Sequence, residues 1–114
     1  MQYLLFINTA PDIDPSFPAE KEPMDIEDWV NQMDSRGVRT FGDRLQPATS
    51  STTVRVRKGE LLVTDGPFVE AKDYIAGIDI IECDNLDEAI EVARLHPMAT
   101  HGLVEIRPFW VWDD

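Results

Sequence analysis

The segment TDGPFVEAKDYIAG, residues 64–77, holds a close group of ionisable side chains at spacings suited to proton transfer. Asp65 is followed by Glu70 and Lys72, which are two residues apart and face the same way in an extended chain. A carboxylate beside an ammonium group, with a second carboxylate nearby, can act as an acid or a base at neutral pH. We therefore predict Asp65 as a catalytic general base. An exposed ion pair of little energetic value is the alternative.

The same segment begins with residues typical of a turn. Asp65 can bond to its own backbone, Gly66 can adopt positive φ, and Pro67 lacks the N–H group that would continue a strand ladder. A turn accounts for these three residues without any function, but it does not require Glu70 or Lys72. The functional and the turn-only interpretations both stay open on the sequence.

Other charged residues stand on predicted strands. Glu105 and Arg107 share one face of the last strand, where a salt-bridged pair is the alternative to ligand binding. Lys72 or Arg107 would hold an anionic group of a substrate. The predicted ligand-binding residues are Arg44, Glu70, Lys72, Glu105 and Arg107.

Neither a metal nor a cofactor is predicted. His96 and His101 are separated by Pro97, and no cysteine or carboxylate stands at a recognisable ligand spacing from them. His96 is interpreted as a helix-terminal residue that faces the helix dipole, and His101 is expected in a loop. The chain contains no glycine-rich phosphate loop. Cys83 ends an apolar strand and is interpreted as a small buried hydrophobic residue.

The charge of the chain limits its partners. The formal net charge is −12 over 114 residues, which excludes nucleic acid and an anionic membrane surface as expected partners. Residues 35–59 nevertheless hold six basic residues and one acid, between acidic flanks. Internal compensation explains this pattern, and an anion-binding groove is the alternative.

The length and the N-terminus predict a cytoplasmic protein with one domain, residues 1–114. A single cysteine cannot form an intramolecular disulfide, and the N-terminal MQYLLFIN has no basic region before its short apolar run. No apolar run has the length needed to span a membrane.

Periodicity and end signals predict the elements that position these residues. Tyr3–Ile7 is typical of a buried strand, and the proline-rich residues 8–23 are expected to form an irregular loop that can cover a cleft. Asp25 caps a helix that stops at Gly37, and the strand that follows has a break at Gly42.

The second half of the chain repeats this alternation. Residues 52–65 predict a hairpin that turns at Lys58-Gly59, and Tyr74–Cys83 is typical of a strand. Asn85 is predicted to cap a second helix, and residues 102–112 to form a last strand. The order is that of an α+β ferredoxin-like split β-α-β sandwich with an inserted β-hairpin.

Because both helices then cover one sheet face, packing of two chains as a homodimer would hide the other face. Trp110 and Trp112 alternate on this strand and indicate an interface.

The motifs resemble those of the YCII-related, or DGPF-domain, family. Its signature has D-G-P-F followed by an acid, a lysine and a glycine that enters a strand. The later stretches NLDEAIEVARLHP and VEIRPF are similar to the family's second helix and closing strand, and the resemblance covers most of the chain. The matching residues here are Asp65, Gly66, Pro67, Phe68, Glu70, Lys72, Gly77, Glu105, Arg107 and Pro108.

The resemblance implies a dimeric α+β barrel and says little about a reaction. In enzyme-like relatives an aspartate and a histidine meet in a cleft, but the first helix of this chain has no histidine. The family resemblance also implies an association with extracytoplasmic-function sigma factors.

Two functions follow as expectations. The first is an enzyme or binding protein for a small molecule, including an anionic one, whose cleft is lined by the predicted residues. The second is a non-catalytic regulatory partner of a sigma factor, recognised through its acidic surface.

Overall fold

The computed structural model describes residues 1–9, 21–66 and 75–112. Six strands are present in this part of the chain: β1 Gln2–Thr9, β2 Arg39–Arg44, β3 Thr52–Arg57, β4 Glu60–Asp65, β5 Ile75–Glu82 and β6 Gly102–Pro108. The helices are α1 Ile26–Ser35, α2 Leu86–Arg94 and α3 Pro97–His101, with a short 3-10 turn at Ala48–Ser50. None of the described helices is long and apolar enough to cross a membrane.

The main sheet is antiparallel and has the strand order β2-β5-β1-β6. This order and the element sequence make the fold a mixed α+β fold compatible with the predicted ferredoxin-like arrangement. The strands β3 and β4 pair with each other in a separate two-stranded sheet, as predicted for the inserted hairpin.

The alternation of side chains along β1 separates the two faces of the sheet. Tyr3, Leu5 and Ile7 are buried and join a core with residues of α1 and α2, so the helices cover this face, which we call the helix face. Leu4 and Phe6 lie on the other face, which we call the outer face, and are partly exposed.

Local chemistry sets both ends of α1. Asp25 Oδ1 accepts a hydrogen bond from the Asp28 N–H at 2.8 Å. At the other end, Gly37 has φ +69°, and the N–H groups of Gly37 and Val38 donate to the carbonyl oxygens of Asp34 and Met33. These two bonds form a Schellman motif, which explains why the helix ends where the glycine predicted.

Two elements of the second half differ from the sequence prediction. The last strand was expected to reach Trp112, but β6 ends at Pro108. The paired register with β1 ends at Pro108, opposite Tyr3, and one further backbone hydrogen bond follows it, from the Phe109 N–H to the Gln2 carbonyl oxygen at 3.0 Å. The loop predicted around His101 is wrong as well, because Pro97 opens the short helix α3 and His101 is its last residue.

Candidate functional site

A cavity of about 470 Å³ lies between the helix face of the sheet and α1 and α3. Its volume is within the range of small-molecule pockets. Most of its wall is apolar, and it is interrupted by two arginines, two aspartates and a histidine. The lining residues are Ile7, Thr9, Ile26, Val30, Arg39, Gly42, Asp43, Arg44, Ala76, Gly77, Asp79, His96 and Met98.

Asp79 is the most deeply placed carboxylate of this wall. It sits in the middle of β5 on the helix face, opposite Leu5, and its residue surface is only 6% exposed. Arg39 Nε donates a hydrogen bond to Asp79 Oδ1 at 2.9 Å. Among the described residues, Arg39 is the one partner of this carboxylate.

Burial raises the pKa of the Asp79 carboxyl group, and the hydrogen bond from Arg39 opposes that rise without cancelling it. A carboxylate with a raised pKa takes up a proton more readily at neutral pH. Asp79 therefore has the properties of a general base or acid.

Arg39 is held in place by three acceptors. Besides Asp79, its guanidinium donates to Asp34 Oδ1 at 3.2 Å and to the Gly42 carbonyl oxygen at 2.7 Å. With three of its five N–H groups in these bonds, it positions the Asp79 carboxylate.

Gly42 allows Asp79 to occupy this place. A Cβ atom at position 42 would overlap the Asp79 carboxylate and would lie 2.9 Å from the Ile78 carbonyl oxygen. The sequence predicted a break in the strand at Gly42, as a bulge or a close backbone approach. The close approach is present, but β2 continues through Gly42, and its register against β5 shifts between Arg39 and Phe41.

His96 contributes a neutral hydrogen-bond donor. Its residue surface is 3% exposed, and burial lowers the pKa of His96 to about 4. The Met98 N–H donates to His96 Nδ1 at 3.0 Å, so the neutral ring carries its proton on Nε2. The ring also meets Trp29 edge-on at 4.7 Å between centroids. The predicted dipole contact of His96 is replaced by this N-cap of α3.

Arg44 is the predicted ligand residue that lines the cavity. No described residue forms an ion pair or a hydrogen bond with its guanidinium, whereas its backbone N–H donates to Asp43 Oδ1 at 2.7 Å. A cation that lines a mostly apolar cavity and has no partner among the described residues can bind an anionic group.

The remaining predicted residues lie elsewhere. Glu105 and Arg107 form a 2.8 Å salt bridge on the outer face, where the Arg107 guanidinium stands 5.3 Å from the centre of the Phe6 ring. Asp65 is exposed at the end of β4 and pairs in register with Thr52. Pro67, Phe68, Glu70 and Lys72 fall outside the described residues, as does most of the proline-rich segment.

The glycines and the proline of the motif have structural positions. Gly66 has φ +91°, the left-handed backbone that its place in the predicted turn requires. Gly77 is buried in the cavity wall, and a Cβ atom there would lie 3.0 Å from the Asp43 carbonyl oxygen. Pro108 ends β6. Cys83 is a free, buried thiol in the core.

Sequence reasoning did not select Arg39, Asp79 or His96 for the candidate site. Asp79 carried one usable signal, a charged residue inside the apolar strand YIAGIDIIEC. Among the described residues, no group of three His, Cys, Asp or Glu side chains is placed to hold a metal ion.

The fold and the cavity define a small α+β domain with a buried ion pair in the wall of an apolar pocket. The chain belongs to the YCII-related domain family, whose sequence model matches residues 1–113. It is similar to an uncharacterized protein of Rhizobium meliloti (strain 1021), with 42% identity over 67 residues, 57% of this chain and 54% of that protein. The chain therefore spans about half the length of this curated relative.

Proposed function

We propose that the protein binds a small anionic molecule in the cavity between α1, α3 and the sheet, and that Asp79 exchanges a proton with it. The observation that carries this proposal is the Asp79–Arg39 ion pair in the mostly apolar wall of the cavity, with Asp79 buried and Arg39 partly buried. Taking charges out of water is costly, and replacement of a buried ion pair by apolar residues of similar size is often neutral or stabilising for a fold.

The polar groups around the cavity support binding of a ligand with both an acidic and an apolar part. Arg44 supplies a cation, His96 Nε2 supplies a neutral donor, and Asp79 Oδ2 supplies an acceptor. The apolar side chains of Ile7 and Val30 suit the body of the ligand. A small carboxylic acid or phenol with a proton to lose fits this arrangement.

A thermal-shift screen against small carboxylates, phosphates and phenolic compounds tests the proposal. A ligand that binds only the folded chain raises the melting temperature. Arg44→Gln should reduce the shift caused by anionic compounds, and Asp79→Asn should abolish turnover of any compound that reacts. Glu91→Gln changes an exposed charge on α2 and is the matched control.

Asp65→Asn separates this site from the one that the sequence predicted. If Asp65 is the base, this variant loses ligand response or turnover while Asp79→Asn keeps both. That result, or an unchanged response in Arg44→Gln, would contradict the cavity as the binding site.

We also propose that the protein is a homodimer in which two outer faces pack together as an α+β barrel. Besides Leu4 and Phe6, this face carries Phe41, Ile78, Ile80 and Leu103, which are exposed or partly exposed. Burial of an apolar sheet face is favourable, and Glu105 and Arg107 would lie at the seam.

A non-catalytic regulatory role is the second candidate, and the net charge of −12 favours it. A basic surface of a sigma factor would be attracted to such a chain. Binding of a purified sigma factor that weakens steeply with salt and is unchanged in Asp79→Asn would support this role over the first.

A further inference from the structure

The β3–β4 hairpin exposes an apolar face that no described element covers. Val54 pairs with Val63, and Val56 pairs with Leu61, so these four side chains stand together on one face. Each of them is 58–63% exposed. An isolated two-stranded hairpin is only marginally stable in water, so a cover on this face would stabilise it.

The tip of the hairpin carries two basic residues against one acid, Glu60, which pairs in register with Arg57. Arg57 ends β3, and Lys58 follows it in the turn. In a chain with a net charge of −12, the small excess of positive charge at this tip attracts acidic segments.

The segment after β6 has the complementary character, and we call residues 109–114 the tail. Trp110 and Trp112 are 77% and 81% exposed, and their ring centroids are 6.1 Å apart. In the sequence, Asp113 and Asp114 follow them directly. The tail thus joins two large apolar side chains to two acids.

We infer that the apolar face of the hairpin binds the tail of a second copy of this chain. The two tryptophans would cover the valines and the leucine, and the acidic end of the tail would reach Arg57 and Lys58. Among residues 1–9, 21–66 and 75–112, nothing covers either surface, and a second chain is the cover that the inference assigns.

The area of such a contact is sufficient for a specific assembly. Each tryptophan buries roughly 150–250 Å² when it is covered, and the hairpin loses a similar area. Two such contacts related by a two-fold axis would bury on the order of 1,000–2,000 Å², the range of stable interfaces. The contact is distinct from the proposed packing of the outer faces, and it can add to it.

Acrylamide quenching of tryptophan fluorescence at neutral pH tests the inference. Trp29 is fully buried and gives a constant background, so the quenched signal reports Trp110 and Trp112. The hairpin variant is Val56→Thr with Leu61→Thr, which keeps strand-forming residues and removes apolar surface. The tail variant is Trp110→Ala with Trp112→Ala.

We expect the tail tryptophans of the unmodified chain to be protected, and severalfold stronger quenching in the hairpin variant. Mixing the hairpin variant with the tail variant should restore the protection, because the intact tail of one chain meets the intact hairpin of the other. A chain that carries both pairs of substitutions is the matched control and should restore nothing.

Three results would overturn the inference. The first is quenching in the unmodified chain that is as strong as in the hairpin variant. The second is protection that the hairpin substitutions leave unchanged. The third is protection that the mixture fails to restore, which would place the tail on its own hairpin. Far-UV spectra and melting temperatures of all variants report the fold separately.

Discussion

Asp79 owes its position to a missing side chain. Gly42 faces it from β2, and any Cβ atom there would displace the carboxylate from Arg39. We expect Gly42→Ala to lower the free energy of unfolding by about 1–3 kcal/mol, as for an overpacked core. Urea denaturation measures this loss.

The double variant provides the control for Gly42→Ala. In an Asp79→Ala background the carboxylate is absent, so the added methyl group at position 42 should lower the free energy of unfolding clearly less. An equal cost in both backgrounds would mean that the Ile78 carbonyl oxygen, not Asp79, limits the space.

His96 predicts a loss of stability in mild acid. Burial lowers the pKa of His96 from 6.5 to about 4, so the unfolded chain takes up a proton at pH values where the folded chain does not. The contribution of His96 is therefore complete above pH 6.5 and disappears as the pH falls toward 4, by about 3 kcal/mol in total.

His96→Asn isolates this effect, since asparagine can still accept the hydrogen bond of the Met98 N–H group. The free energy of unfolding of the variant should depend less on pH between 6.5 and 4. Asp79, with its raised pKa, acts in the opposite direction, because its contribution falls as the pH rises. The difference between the unmodified chain and the variant removes that second effect.

The turn of the hairpin holds one residue with a strained backbone, and a substitution can relieve that strain. Lys58 has φ +53° and Gly59 has φ +76°, the pattern of a type I′ turn between Arg57 and Glu60. Asparagine adopts this conformation more readily than lysine. We expect Lys58→Asn to stabilise the hairpin by roughly 0.5–1 kcal/mol.

Hydrogen exchange of the β3 and β4 amides measures that change. Gly59→Ala should have the opposite effect, because it forces a Cβ atom into the left-handed conformation. Slower exchange in Gly59→Ala than in Lys58→Asn would contradict the assignment of strain to position 58.

The sequence predicted the features that depend on neighbouring residues and missed those that depend on residues far apart in the chain. The ends of α1 and the turn at Lys58-Gly59 depend on neighbouring residues, so their signals are visible in the chain. Arg39 and Asp79 are 40 positions apart and meet only through the register of β2 against β5. No periodicity encodes such a meeting, and α3 is too short to show one.

The outer face of the sheet predicts the assembly of the whole molecule. We expect light scattering at micromolar concentration to give the mass of a dimer, and Phe41→Asp to shift it to a monomer by placing a charge in an apolar contact. Added salt should strengthen the dimer, because it screens the repulsion between two chains of charge −12.

Leu86→Asp is the matched control for the dimer. Leu86 is an exposed leucine like the candidates of the outer face, but it opens α2, where an acidic residue suits the helix dipole. A monomeric mass for the unmodified chain, or for Leu86→Asp as well as Phe41→Asp, would remove the basis for the barrel.

The single buried thiol can report how often the core of this protein opens. Cys83 lies in the core, and burial raises the pKa of its thiol, so both access and ionisation keep it from reacting in the folded state. A thiol reagent can label it only when the core opens. The labelling rate, followed with and without a cavity ligand, would then measure the rate of core opening at the Cys83 sulfur.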